Sequence, residues 1–221
     1  MTRFFDILFS LIAIIILLPF MLPIMVPLKL TGEHDIFYGQ ERVGKGGKTF
    51  KLLKFATMLR NSPNLPGGLI TSDHDPRMLP MGPFLRKTKI NELPQLINIL
   101  VGQMSVIGYR PMVPVHHANY SPEIRAKLAR IQPGLSGIGS IVFRDEEHIL
   151  HTVENREYFH DKVITPYKGQ LEAWYVEHRS VGLYFKLIFM TVGAVLNPNS
   201  HSWRKAFKDL PPVPAELEPY I

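Results

Sequence analysis

The sequence predicts an α-rich α+β protein with a membrane-inserted N-terminal helix and a small β-hairpin. Its 221 residues, 46% of them apolar and 20% charged, suit one globular core with added membrane elements. Three patterns support the prediction: an uncharged apolar run, short apolar runs around a glycine turn, and several segments with helix signals. We expect three regions, a membrane helix at 1–30, a cytoplasmic domain at 31–196 and an extended C-terminal tail at 197–221.

Charge and composition narrow the classes of partner. The net charge of +6 suits anionic partners, which include nucleic acid, an anionic membrane surface and phosphorylated small molecules. Nucleic acid is disfavoured, because the basic residues are not interleaved with stacking aromatics and a long apolar anchor would serve no purpose. The chain has no cysteine, which excludes disulfides, a thiol nucleophile and cysteine-zinc sites.

The apolar run at 7–28 carries no charge and is long enough to cross a bilayer. Pro19, Pro23 and Pro27 interrupt it at four-residue spacing, and a proline inside a helix removes a backbone hydrogen bond and kinks the axis. Three interpretations stay open: a transmembrane anchor, a bent re-entrant helix, and a cleaved signal peptide. Of the 25 Lys and Arg residues, only Arg3 precedes the run, which places the rest of the chain in the cytoplasm.

The next segments predict a hairpin and a loop. Short apolar runs flank glycines at 44–47, which indicates two strands joined by a turn, and the nearby Gly-Lys-Thr lacks the first glycine of a P-loop. The lysines and Arg42 in these strands are expected to be structural or membrane-facing. Residues 61–76 are rich in Pro, Gly, Asn and Asp and predict a loop, where Asp73, His74 and Asp75 suit turn capping better than metal binding.

One stretch in the middle of the chain concentrates candidate functional side chains. Arg86 and Lys87 precede Asn91 and Glu92, which open a short helix with apolar positions at three- and four-residue spacing. We expect Asn91 to be the N-cap, Glu92 to suit the positive helix end, and Pro94 to occupy the first turn. Free N–H groups with cations behind them attract anions, so this stretch predicts a phosphate-binding surface.

Further helices are predicted downstream. Ser121 and Pro122 begin a helix with one apolar and one basic face, which suits a membrane surface and the protein's own core equally. Residues 167–196 predict one or two helices rich in large interfacial side chains. The adjacent histidines His116 and His117 do not predict a metal site, because neighbouring positions do not share a helix face.

Residues 84–111, FLRKTKINELPQLINILVGQMSVIGYRP, closely resemble the signature of the monotopic phosphoglycosyl transferases, bacterial enzymes that start glycan assembly on polyprenol phosphate. The resemblance continues in order through RFFDI, YGQERVGKGGKTFKLLKFATM, DPR, QPGLSG and WYVEHRS, which spans nearly the whole chain except the tail. It implies a monotopic protein on the cytoplasmic face of the bacterial inner membrane, with interfacial helices and a re-entrant helix broken near Pro19 and Pro23.

The resemblance also implies a reaction and its participants. A phosphosugar moves from a UDP-sugar to undecaprenyl phosphate with release of UMP, with Mg²⁺ as the cofactor, membrane lipid as a partner and a homodimer left open. Glu92 and Asn91 would hold the Mg²⁺ and, with Arg86, act in catalysis. The residues expected to bind substrate phosphate are Arg86, Lys87, Arg110, Arg77 and Gln132.

Asn91 departs from the family pattern, which has an aspartate nucleophile followed by a glutamate. A neutral amide is a poor nucleophile and a weaker Mg²⁺ ligand than a carboxylate. Four accounts stay open. Glu92, or an acid among Asp145, Glu146 and Glu147, supplies the nucleophile; transfer is direct, with Glu92 holding Mg²⁺; or Asn91 is an engineered replacement of aspartate. In the fourth, the chain is an inactive or altered relative that binds at the membrane surface or runs a different transfer.

Overall fold

A computed structural model describes residues 2–66, 68, 75–197 and 201–221, and it confirms a helix-rich α+β fold with small sheets. The helices in these ranges are α1 (Thr2–Leu30), α2 (Gly82–Lys87), α3 (Gln95–Leu100), α4 (Pro114–His117), α5 (Pro122–Leu128), α6 (Ile138–Val142), α7 (Glu146–Thr152), α8 (Arg156–Phe159), α9 (Thr165–His178), α10 (Val181–Leu196) and α11 (Ser202–Ala206). The strands are β1 (Phe37–Val43), β2 (Thr49–Phe55), β3 (Ser105–Ile107) and β4 (Gly134–Ser136). Shorter turns are 3-10 at Lys45–Gly47, Ser62–Asn64 and Ile90–Glu92, and π-helical at His160–Ile164.

The predicted hairpin is confirmed. β1 and β2 pair antiparallel, with Tyr38 opposite Lys54 and Arg42 opposite Phe50. Gly46 and Gly47 in the connecting turn both have φ of 72°, a conformation that glycine adopts without steric cost. A second, parallel pair of β3 and β4 was not predicted. It forms because Gly108 and Gly134 let the two backbones meet, where a side chain at Gly134 would overlap the Gly108 nitrogen.

The long apolar segment forms one uninterrupted helix, α1, so the prediction that its prolines break the helix is wrong. Helical structure continues through Pro19, Pro23 and Pro27. The prolines are four residues apart and therefore share one side of the helix, where Pro19 and Pro23 are exposed. Each proline removes a single N–H donor, and packing of the opposite side against the domain holds the helix together.

α1 packs against the domain along its whole length. Phe5 and Phe9 contact Phe185 of α10, at 4.9 and 6.1 Å between ring centroids. The middle of α1 packs in a cluster with Ile99, and its C-terminal part, through Met21 and Leu28, packs with Phe55 and Leu85. The opposite side exposes large apolar side chains, among them Phe4, Ile15, Ile16, Phe20, Val26 and Leu30.

The main core lies among α5, α6, α9, α10 and the C-terminal tail. The C-terminal tail is not extended throughout, because it contains α11. It docks on this core and buries Trp203, Leu217 and Ile221 there. Two other predictions are confirmed: residues 167–196 fall within two helices, and Ser121 caps α5 by accepting a hydrogen bond from the Ile124 backbone N–H. α5 contacts α9, so its apolar face packs on the protein's own core.

Candidate active site

Asn91 and Glu92 lie in the 3-10 turn that links α2 to α3. Lys89 precedes this turn with φ of 58°, a left-handed conformation that reverses the chain sharply after α2. The expected N-cap role of Asn91 is wrong, because α3 begins at Gln95 and no side chain caps it. The turn instead buries Asn91, and its side-chain oxygen has no hydrogen-bond partner.

Glu92 forms an ion pair with Arg110. Arg110 Nη2 donates to Glu92 Oε1 at 2.8 Å, and Gln95 Nε2 donates to Glu92 Oε2 at 3.2 Å. Burial acts to raise the pKa of Glu92, but the charges of Arg110 and Lys54 outweigh it and lower that pKa to about 2. Glu92 is therefore ionised at neutral pH, and the two sequence-predicted residues Glu92 and Arg110 do meet in the structure.

A polar cleft of about 160 Å³ lies next to this turn. Asn91 and Arg86 line it, which brings two more of the predicted residues to one place. Its walls come from β1, β2, the end of α2 and the loop after β2; its lining residues include Tyr38, Gln40, Arg42, Lys54, Thr57 and Met58. The cleft is thus bordered by cations, and Glu92, next to Asn91 in the chain, interacts electrostatically with two of them, Arg42 and Lys54.

Arg42 and Lys54 line the cleft, whereas the sequence analysis expected them to be structural or membrane-facing. Burial, followed by repulsion from Arg110, lowers the pKa of Arg42 to about 10. Burial, followed by repulsion from Arg42, lowers the pKa of Lys54 to about 7. Tyr38 and Arg42 point to the same face of β1, and Lys54 lies opposite Tyr38 on β2, so Arg42 and Lys54 share one face of the hairpin. This relation can be predicted only when the register of the two strands is known.

Arg77, Lys87 and Gln132 do not line this cleft. The Arg77 guanidinium is buried and bonds to Asp75 and to the backbone oxygens of Ser62 and Gly68, which favours loop anchoring over phosphate contact. Lys87 is exposed at the end of α2, and Gln132 lines a separate cavity of about 70 Å³ beside the start of α1. Asp73 and His74 lie outside the described residues.

The alternative acids separate in the structure. Asp145 is exposed at the start of α7, and the side chain of Glu147 lies outside the described residues. Glu146 is partly buried and pairs with Lys168 at 2.5 Å. Against the effect of burial, Lys168, followed by His160 and Arg110, lowers the pKa of Glu146. Of the two acids whose side chains are described, Glu146 is thus the one that interacts electrostatically with Arg110.

Glu172 is a buried acid that the sequence analysis did not single out. Its Oε1 accepts a hydrogen bond from the Arg110 backbone N–H at 3.2 Å, while its Oε2 has no partner. Burial raises the pKa of Glu172 to about 7. A side chain at Gly139 would overlap Oε1, so this glycine makes room for the carboxyl group. Glu172 therefore fixes the backbone of Arg110, while Glu92 binds its side chain.

The donor atoms at the turn suit a partial Mg²⁺ site. Mg²⁺ binds proteins through one or two carboxylates and completes its shell with water and substrate phosphates. Glu92 is ionised, and Asn91 Oδ1 is a buried oxygen without a partner on the cleft wall. These two side chains therefore suit a Mg²⁺ ion whose remaining ligands would be water and oxygens of a bound diphosphate.

Comparisons with known proteins agree with the sequence resemblance. A family model described as bacterial sugar transferase matches residues 1–198. An uncharacterized sugar transferase of Haemophilus influenzae is 33% identical over 211 residues, which cover 89% of this chain and 41% of the relative. An undecaprenyl-phosphate galactose phosphotransferase of Salmonella typhimurium is 30% identical over 210 residues, which cover 89% of this chain and 40% of the relative.

A third relative is matched over most of its own length. It is a putative undecaprenyl-phosphate N-acetylgalactosaminyl 1-phosphate transferase of Bacillus subtilis, 41% identical over 132 residues, which cover 60% of this chain and 73% of the relative. By contrast, this chain spans about two fifths of the Haemophilus and Salmonella proteins.

Proposed function

The chain belongs to the bacterial sugar transferase family, and from this premise we propose that it transfers a phosphosugar from a UDP-sugar to undecaprenyl phosphate, releasing UMP. The single observation that supports the proposal most directly is the Glu92–Arg110 ion pair at the edge of a cleft bordered by Arg42, Lys54 and Arg86. That arrangement suits a ligand with two adjacent phosphates. The reaction would serve the start of polysaccharide or glycoconjugate synthesis.

The cations bind and orient the donor in this proposal. Arg86 and Lys54 face the cleft and would contact the diphosphate, while Arg110 stays in place through Glu92 and Glu172. Fixed positive groups in a partly dry cleft also stabilise the charge that builds up on the departing UMP. Glu92 and Asn91 would hold Mg²⁺, which supplies additional positive charge to the diphosphate when bound.

We favour direct transfer over an enzyme-bound intermediate. Both oxygens of Glu92 already accept hydrogen bonds, and its low pKa makes it a weak nucleophile. The neutral amide of Asn91 is a poor nucleophile as well. In direct transfer, an oxygen of the acceptor phosphate bonds to the sugar-bearing phosphorus, and the bond from that phosphorus to the bridging oxygen breaks. The bonding electrons leave with UMP, and no proton has to move.

The apolar side of α1 supports an acceptor that arrives from lipid. We propose that this helix lies in one leaflet of the inner membrane, in a monotopic arrangement with the domain on the cytoplasmic face. Because α1 contacts the domain from Phe5 to Leu28, both of its ends stay on the side of the membrane where the domain lies. By length and composition alone, however, α1 passes as a membrane span.

The test is turnover by the purified full chain in detergent or nanodiscs, with undecaprenyl phosphate and Mg²⁺. UDP-galactose and UDP-N-acetylgalactosamine are the first donors to try, because relatives are named for these sugars. We expect UMP and a lipid-linked phosphosugar in equal amounts. Glu92→Gln should lower the rate about a hundredfold, the effect of losing a charged group from such a site, while Glu41→Gln, an exposed acid of β1, should not change it.

A donor labelled in its sugar-bearing phosphate distinguishes the mechanisms. Direct transfer leaves no label on the protein during turnover, whereas a labelled protein that is chased into product would refute it. Undiminished turnover by Glu92→Gln would show that Glu92 has no role in catalysis.

Asn91 favours a second candidate function, a catalytically altered relative that binds lipid phosphate or nucleotide at the membrane surface. This candidate predicts binding of the UDP-sugar without UMP release from any donor. Restoration of UMP release by Asn91→Asp would support it, because the substitution returns the carboxylate that the family resemblance places there.

A further inference from the structure

Two histidines and an aspartate meet beside the active site. His116 comes from α4, and His160 and Asp161 come from the π-helical turn before α9. One ligand atom from each of the three lies within 4.8 Å of the others. His160 Nδ1 and Asp161 Oδ1 are 2.7 Å apart, and His116 Nδ1 is 3.8 Å from the same oxygen. Elements distant in sequence therefore present their donor atoms to a common point.

Glu146 borders the cluster on the other side of His160. Its Oε1, from the start of α7, lies 3.6 Å from His160 Nε2, whereas Asp161 lies at Nδ1 of the same ring, so Glu146 is not counted as a ligand. Its other oxygen is held by Lys168 at 2.5 Å. Bonds of about 2.1 Å around a tetrahedral ion separate the donor atoms by roughly 3.4 Å. The 3.8 Å between His116 Nδ1 and Asp161 Oδ1 is close to that value, and the 2.7 Å hydrogen bond between His160 and Asp161 would lengthen when an ion replaces its proton.

The backbone at this cluster has an unusual conformation of a type found at functional sites. His160 and Asp161 begin a π-helical turn, a rare geometry that is frequent at functional sites. Their side chains are 13% and 28% exposed, and that of His116 is 17% exposed, so the cluster is shielded yet reachable from solvent.

We propose that His116, His160 and Asp161 bind a divalent transition metal of the zinc class, with water in the remaining position. Two imidazoles and one carboxylate form a donor set that suits Zn²⁺ and its neighbours, whereas Mg²⁺ prefers oxygen alone. This site is separate from the proposed Mg²⁺ donors at Asn91 and Glu92. It would fasten α4 and the π-helical turn to one another.

The metal would also act on the active site at short range. Glu146 interacts electrostatically with Arg110, and His116 does so with Arg42. A bound cation at His160 would offset the negative charge of the nearby Glu146 and so strengthen the positive potential at Arg110. Binding of Zn²⁺ does not depend on the proposed transferase activity, so the two proposals can fail separately.

The experiment is a titration of Zn²⁺ and Co²⁺ into the chelator-treated full chain, in detergent and with its affinity tag removed, in the presence of excess Mg²⁺. We expect a single Zn²⁺ per chain and the visible absorption bands of Co²⁺ in a low-symmetry site. His116→Gln should bind at least tenfold more weakly. His117→Gln is the matched control, since His117 is adjacent in sequence but packs on Tyr120.

His160→Gln provides a second variant, and circular dichroism checks that each protein is folded. Because His116 lies on a four-residue helix with no buried residue, the test stands even when His160→Gln does not fold. The proposal is overturned when the wild type binds no Zn²⁺, or when His116→Gln and His117→Gln bind it as tightly as the wild type.

Discussion

At the scale of single residues, Asn91 changes the charge balance of the cleft. The cations Arg42, Lys54 and Arg86 border the space that Asn91 lines, and Glu92 is the nearby acid. An aspartate at position 91 would offset one of these charges. With asparagine there, the cleft attracts anions more strongly and offers a weaker nucleophile, so donor binding and chemistry are separable properties of this site.

Lys54 should make donor binding depend on pH. Its pKa of about 7 means that Lys54 is charged at pH 6 and mostly neutral at pH 8, whereas the charge of a UDP-sugar diphosphate does not change in this range. About one tenth of Lys54 is charged at pH 8, so affinity should fall about tenfold between pH 6 and 8 if the charged form alone binds. Isothermal titration of UDP-galactose at both pH values measures this.

Two variants check that Lys54 is the group responsible. Lys54→Arg should bind equally well at pH 6 and pH 8, because arginine keeps its charge throughout. Lys51→Met removes an exposed lysine of the same strand and should keep the wild-type pH dependence. A wild type whose affinity is the same at both pH values would contradict the assignment.

The predicted site residues lie together where neighbours in sequence are also neighbours in space. Arg86 and Asn91 are five positions apart and both line the cleft, and Glu92 follows Asn91 in the same turn. Arg42 and Lys54 join them only through the pairing of two strands, which depends on register and was not predicted residue by residue. Gln132 shares a family motif but points to a different cavity.

At the scale of elements, α1 shows how tertiary packing overrides a local rule. Three internal prolines argue for a broken helix, yet one side of α1 packs in three clusters of the domain. Helix length and apolar character were predictable, because both follow from composition. Continuity was not, because it depends on what the helix lies against. β3 and β4 were unpredictable for a related reason, since glycine contacts between backbones leave no side-chain periodicity.

Asp6 should be essential for fixing α1 to the domain. This buried carboxylate accepts hydrogen bonds from Ser105 Oγ, the Val106 backbone N–H and Tyr184 Oη, at 2.8–2.9 Å. Asp6→Ala leaves three buried donors without an acceptor, which should lower the free energy of unfolding by about 3 kcal/mol or more. Denaturation of the protein in detergent micelles, followed by circular dichroism, measures the loss.

Matched variants in the same helix separate the hydrogen bonds from general effects of substitution. Asp6→Asn keeps an acceptor oxygen and should cost less than Asp6→Ala. Ser10→Ala changes another buried polar residue of α1, but its hydroxyl bonds only within the helix, to the Ile7 oxygen, so its effect should be under about 1 kcal/mol. Equal losses for Asp6→Ala and Ser10→Ala would show that the three bonds do not anchor α1.

At the scale of the whole molecule, an apolar surface and a basic cleft occur in one small protein. The exposed apolar side of α1 continues at α10, where Phe189, Val192, Val195 and Leu196 are also exposed. The cleft beside Asn91 is bordered by cations from the hairpin and α2. A lipid with a phosphate head group needs both features at once, an apolar place for its chain and a positive place for its head.

The membrane arrangement of α1 gives the last prediction, which uses the absence of native cysteine. Single cysteines replace Thr2, the first residue of α1, and Glu33, just after its end, and a third at Lys48, in the exposed hairpin turn, reports the side of the domain. Since α1 contacts the domain along its length, all three positions should lie on one side of the membrane. In inside-out vesicles, a membrane-impermeant maleimide should label all three, and in intact spheroplasts none. Labelling of Thr2→Cys in spheroplasts, with Glu33→Cys and Lys48→Cys protected, would mean that α1 spans the bilayer, and the packing along its length would then have to be absent in the membrane.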